Sequence, residues 1–252
     1  MARKPVFDRP IAHRGLHDRV AGIIENSASA FERAIEGGFA IECDLQLTSD
    51  GSAVVFHDDD RERLTGKSGF VRDASLRDMT TTPLLGSTAG DCPQTFEDFL
   101  KQAAGRTLLQ VELKQQTHDN TPRLAEVAAN AVKNYNGPLV FESFDPHLIA
   151  AVRRAGFNGH VGIITYNYDE PDWHPTMTST QRFQLRHLIH APWSRFDFIS
   201  CHQKALDLPA VRFFRAMGAP VTAWTIRSSS EARTVGSRAD QLVFEGFDPD
   251  RA

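Results

Sequence analysis

Among the side chains of residues 11–58 in this 252-residue chain, two histidines, an arginine and two carboxylates stand out by type and spacing. His13 and Arg14 stand in IAHRG, Glu42 and Asp44 in IECDLQLTSDG, and His57 in AVVFHD. Residues 40–48 alternate as a strand does, and side chains at i and i+2 of a strand share a face. Glu42 and Asp44 therefore aim at one spot, where they repel each other unless a cation separates them. Hard divalent ions take oxygen ligands, so Mg²⁺ or Ca²⁺ is the natural occupant, and nothing in the sequence chooses between the two. The same spacing recurs in LLQVELKQQ, which carries Glu112 and Lys114. Three carboxylates, two imidazoles, one guanidinium and one ammonium make a site for an anion held by a metal, and a phosphate ester suits it. For one acid alone a salt bridge is the simpler account. Three on neighbouring apolar strands favour one shared divalent ion, because unpaired buried carboxylates are costly.

His13 and His57 would then form an acid–base pair, since imidazole titrates at about 6.5 and one ring can stand neutral while the other is protonated. The sequence does not say which is which. Arg14 and Lys114 would contact the phosphate, or neutralise the carboxylates, or both.

Positioning these groups requires elements that deliver them to one place. A short strand at 10–14 ends at His13 and Arg14. Asn26 or Ser27 caps a helix with Ala28, Phe31 and Ile35 at helical spacing, and Gly37–Gly38 stops it. The strand with Glu42 and Asp44 turns at Asp50–Gly51 into a partner run, 53–57, that puts His57 beside the acids. Residues 59–92 lack periodicity and read as an excursion from the core, a possible inserted segment. From Thr95 the rhythm is regular. Strands are expected at 107–114, 138–144, 160–165, 196–200, 221–226 and 241–244, with helices at 96–104, 122–135, 146–155, 181–190, 209–217 and 229–236. About eight βα units imply a parallel sheet, and in this length a closed (β/α)₈ TIM barrel. No GxGxxG or GxxxxGK[ST] loop appears, which argues against a dinucleotide-binding or P-loop fold. Barrel active sites lie at the C-terminal ends of the strands, and His13, Glu42, Asp44, Glu112, Lys114, Phe144 and Trp224 all fall near such ends.

Taken in order, HRG at 13–15, EN at 25–26, ExD at 42–44, HD at 57–58, ExK at 112–114, SF at 143–144 and Trp224 make a set that resembles the glycerophosphodiester phosphodiesterase family along nearly the whole chain. The resemblance implies one barrel domain over residues 1–252 and metal-dependent hydrolysis of glycerophosphodiesters to sn-glycerol 3-phosphate and an alcohol. It implies that His13 and His57 are catalytic and that Glu42, Asp44 and Glu112 bind the metal. Arg14 and Lys114 would take the phosphate. Asn26 would order its loop or reach substrate, and Phe144 and Trp224 would wall the glycerol or pack in the core.

Three departures from the family pattern stand out. Ile24 precedes EN where proline is usual, Glu142 precedes Ser143 where a neutral residue is common, and the last strand reads DQLVFEG in place of DGIITD. The aromatic segment 166–177 reads as a lid, a rim or plain surface. The rival readings are a lysophospholipase D, a non-catalytic phosphoester-binding barrel and, less apt because it leaves HRG unexplained, a sugar-phosphate isomerase.

Composition, 41% hydrophobic and 24% charged, is ordinary for a soluble globular protein. A net charge of −4 and a pI near 6.2 give no basic excess for nucleic acid. The opening MARKPVFDRP has no apolar signal-peptide core, and no apolar run approaches the roughly 20 residues that span a bilayer. Cys43, Cys92 and Cys201 show no CxxC spacing, so the expected setting is the reducing cytoplasm.

Overall fold

The computed structural model describes residues 7–116, 121–169 and 177–251. Strand β1 (Ile11–Ala12) is two residues long, and β2 (Ala40–Leu47) is eight residues long and buried throughout. β2 is buried on both faces for different reasons. Ile41, Cys43, Leu45 and Leu47 join the main hydrophobic core, so the alternate residues Glu42, Asp44 and Gln46 point to the opposite side, into the barrel. After β3 (Ala53–Val55) come β4 (Leu109–Leu113), β5 (Leu139–Ser143), β6 (His160–Thr165), β7 (Phe198–His202), β8 (Val221–Ile226) and β9 (Gln241–Phe244).

The order β1-β9-β8-β7-β6-β5-β4-β2, closed by pairing of β1 with β2, makes a parallel eight-stranded barrel. The expected strands each form, and the (β/α)₈ barrel is the fold. Helices between the strands pack outside it, among them Ala28–Glu36, Phe96–Ala103, Pro146–Arg154 and Pro209–Ala216, whose apolar sides Phe31, Phe99, Leu148 and Val211 meet the outward faces of the strands. Of the two expected caps, Ser27 is the one used, its hydroxyl accepting from the Ala30 N–H.

Residues 59–92 form only short pieces, the helices Glu62–Thr65 and Leu76–Thr80 and a 3₁₀ turn. Ile24, Val54, Phe56, Leu64, Val71, Met79 and Leu84 hold them in a satellite core beside the barrel. At the N-terminal end of the barrel a third cluster, including Ile11, Leu108, Val140, Phe198 and Val243, plugs the interior. The Phe198 ring reaches across to Gly162, where an added Cβ would lie 2.3 Å from Cζ, so only glycine leaves room for it.

Candidate active site

The register of β2 brings the two histidines together. β1 pairs with the first residues of β2, Ala40 and Ile41, whereas the antiparallel β3 pairs with Leu45 to Leu47. Because β1 is so short, both occupy the same edge of β2, one rising along it and the other descending. His13 follows the end of β1, and His57 follows the end of β3, where the Phe56 N–H donates to the Asp44 carbonyl at 3.0 Å. The two imidazoles thus approach Glu42 and Asp44 from opposite directions.

One oxygen from each of Glu42, Asp44 and Glu112 lies within 4.8 Å of the other two, all buried. Asp44 and Glu112 are direct neighbours across the β2–β4 register. The Lys114 ammonium stands 3.1 Å from Glu112 and 3.5 Å from Asp44. The Asn26 amide donates to Asp44 Oδ2 at 2.8 Å, and the Arg14 backbone N–H donates to Glu42 Oε2 at 2.9 Å. Asn26 is almost wholly buried, and its amide is committed to orienting Asp44. Arg14 and Asn26 both adopt left-handed backbone, φ 56° and 55°, pinned by the Asn26 N–H on the Arg14 carbonyl. The next residue, Gly15 at φ 80°, has no room for a Cβ against Ala30, which explains the glycine of HRG.

These surroundings set the charges. Burial pushes Glu42 well above the usual carboxylate range, and Asp44 and Glu112 push it further. Glu112 is also raised, chiefly by burial, with Lys114 opposing. Burial would raise Asp44 too, but His57, Lys114, Arg14 and the Asn26 hydrogen bond outweigh it and hold Asp44 well below its usual value. The acids cannot all ionise on the positive charge that the protein supplies. An oxygen-only, buried, convergent donor set short of positive charge fits a hard divalent cation. Arg14 Nε is buried without a hydrogen bond among the described residues, 3.5 Å from Asp44 Oδ2, a donor aimed at the same place.

Each imidazole has its own carboxylate. His13 Nδ1 lies 2.8 Å from Glu245 Oε2, and His57 Nδ1 lies 2.7 Å from Asp58 Oδ1. Burial lowers His13 to about 4, although Glu245 opposes this. His13 is therefore neutral near pH 7, and its 3.9 Å approach to Glu42 is no ion pair. The Gln46 amide nitrogen sits within 3.0 Å of the carbonyls of Phe56, His57 and Asp58, fixing the segment that carries His57.

The sequence pattern of the Glycerophosphoryl diester phosphodiesterase family matches residues 13–242. The chain belongs to this family. A glycerophosphodiester phosphodiesterase of Caldanaerobacter subterraneus is 31% identical over 173 residues, 65% of this chain and 69% of that protein. The bovine glycerophosphodiester phosphodiesterase 1 is 29% identical over 157 residues, 59% of this chain and 46% of that protein. Among solved structures, an Oleispira antarctica phosphodiesterase in complex with the product sn-glycerol-3-phosphate superposes with a TM-score of 0.76 at 20% identity, covering 95% of this chain and 93% of that one. A Thermotoga maritima glycerophosphodiester phosphodiesterase gives 0.68 at 23% identity, covering 93% and 92%. These two likenesses speak to the fold. The expectation of a phosphodiester hydrolase is met at the level of the family.

The other family positions fall around the same mouth. Phe144 follows β5 and meets Trp224 edge-on at 5.7 Å and Tyr166 at 6.2 Å. Trp224 also lies against His202 at 5.0 Å and is partly buried against the lower core, so these rings pack on one another at the end of the strands. Ser143 points away from the acids, its hydroxyl donating to the Leu113 carbonyl at 2.7 Å. Glu142 is buried inside the barrel as the cross-strand neighbour of Glu112. Its carboxyl accepts from Gln110 at 2.9 Å, and burial raises it to about 8. Most of the aromatic segment, residues 170–176, lies outside the described residues, as do His118 and His174.

Sequence reasoning passed over Asp58, Glu245 and Gln46. Asp58 was readable from HD as the nearest partner for His57. Glu245 was readable as the acid ending the last strand, in the very DQLVFEG run that departs from the family pattern.

Proposed function

We propose that this chain hydrolyses glycerophosphodiesters to sn-glycerol 3-phosphate and an alcohol, with a divalent cation, Mg²⁺ or Ca²⁺, held by Glu42, Asp44 and Glu112. The observation that carries this reading is the convergence of three buried acids from two adjacent strands with two carboxylate-backed imidazoles, in a member of this family. When bound, the cation supplies positive charge against the phosphoryl oxygens. Arg14 and Lys114 bind and orient those oxygens. His13, neutral at physiological pH and turned by Glu245, takes the proton from the attacking oxygen as its bond to phosphorus forms. His57, turned by Asp58, gives a proton to the alcohol oxygen as its bond to phosphorus breaks. Phe144 and Trp224 wall the glycerol end.

Residues 1–252 act as one barrel domain with 59–92 inserted. Its three free thiols, Cys43, Cys92 and Cys201, suit the cytoplasm. No described helix is long and apolar enough to cross a membrane.

The test is turnover of glycerophosphocholine and glycerophosphoethanolamine with each metal, by wild type, His13→Ala and His57→Ala. Loss of each proton transfer lowers kcat by about 10²- to 10⁴-fold, and EDTA abolishes the rate. Wild-type rates in either variant, or turnover indifferent to EDTA, would overturn the corresponding assignment.

A further inference from the structure

Arg63, on the short helix Glu62–Thr65 of the 59–92 segment, grips two carboxylates at once. Its Nε and Nη2 donate to Asp58 at 2.5 and 2.9 Å, and its Nη1 and Nη2 donate to Glu25 at 2.8 Å each. Each carboxylate in turn holds a group of the active site. Asp58 Oδ1 lies 2.7 Å from His57 Nδ1, and Glu25 Oε1 accepts from Arg14 Nη1 at 2.7 Å. A chain of direct contacts therefore runs His57–Asp58–Arg63–Glu25–Arg14. An exposed ion pair usually contributes nothing beyond itself. This one differs because both carboxylates are largely covered, at 18% and 15% side-chain exposure, and both are engaged by two donors, the geometry that fixes orientation. The adjacent Leu64 is buried in the satellite core and anchors the helix from which the guanidinium extends.

We propose that Arg63 is a positioning residue that sets the His57 ring and the Arg14 guanidinium together, so that the 59–92 segment governs leaving-group protonation and phosphate binding through one side chain. The inference rests on the roles given above to His57 and Arg14. It makes the segment part of the working site: the satellite core holds the helix, and the helix holds both halves of the chemistry.

The test uses the full chain, with steady-state kinetics on glycerophosphocholine for wild type, Arg63→Ala, Arg63→Lys and His57→Ala. Arg63→Ala is expected to lower kcat and raise KM together, for a loss in kcat/KM of about 10- to 100-fold, with the melting temperature little changed. Added guanidinium ion restores part of that loss in Arg63→Ala and does nothing for wild type. Arg63→Lys, which lacks the fork, recovers less than guanidinium does. Should Arg63→Ala not fold, Arg63→Gln is read in the same way. A dead His57→Ala beside an Arg63→Ala with wild-type kcat and KM overturns this inference alone. An activity loss that only follows lost folded protein, without guanidinium rescue, also overturns it. A His57→Ala with the wild-type rate refutes the underlying reading of the site, and this inference with it.

Discussion

Replacing Glu142 with glutamine should flatten the pH dependence of stability. The carboxyl is buried beside Glu112 and raised to about 8, against 4.5 for an ordinary glutamate. Below 4.5 it is protonated in both folded and unfolded chains, and nothing is lost. As pH rises from there toward 8, the unfolded chain releases the proton while the fold retains it, so stability falls by up to about 1.4 kcal/mol per pH unit. From about pH 5.5 to about pH 7.5 the wild type loses about 2.7 kcal/mol by this route, about 5 °C in melting temperature for a chain of this length. Glutamine carries no such proton. Its amide oxygen accepts from Gln110 as the carboxyl does. Melting curves of both proteins in EDTA across that range should diverge as pH rises, with the variant gaining on the wild type. Adding the divalent ion should narrow the gap, because nearby positive charge eases ionisation of Glu142. Curves that run parallel would show that Glu142 stays ionised throughout, and the electrostatic account of the barrel interior would be wrong.

Gly162→Ala should lower stability by about 1–3 kcal/mol through overpacking against Phe198, read by chemical denaturation; pairing it with Phe198→Leu should recover part of the loss. Glu245→Gln should lower kcat by about 10²-fold, because an amide at 245 no longer selects the His13 tautomer; steady-state kinetics with an unchanged melt checks this. Lys114→Met should act in opposite senses on two assays. It removes the ammonium between Asp44 and Glu112, so calorimetry should show divalent-ion binding tightened by at least about tenfold, while kcat/KM falls.

The barrel was legible because its strands have two apolar demands. In β2 the odd positions face helices and the even ones face the interior, so a run such as AIECDLQL declares its chemistry by breaking the apolar pattern at Glu42 and Asp44. The same break exposed Glu112. Residues 59–92 were not legible because helices of four and five residues contain too few turns to show a period; they hold together through scattered residues such as Leu64, Val71 and Leu84. The partners of the histidines were missed for a different reason. Asp58 and Glu245 act on a ring and not on the acid cluster, so the break in the apolar pattern that marks Glu42 and Asp44 does not mark them. Asp58 adjoins His57 in the chain, whereas it is the pairing of β1 with β9 that brings Glu245 to His13. The caps divided similarly: Asn26 and Ser27 are equivalent by type, and the positive φ of Asn26 is what sends its amide to Asp44 and leaves Ser27 to cap.

The Phe198 ring and its apolar neighbours stopper the barrel at the end away from the acids. Arrivals and departures consequently share one doorway. If Arg14 and Lys114 hold the phosphate as proposed, a phosphorylated product would block the next substrate until it backed out, and its release would belong among the steps that set the pace of turnover.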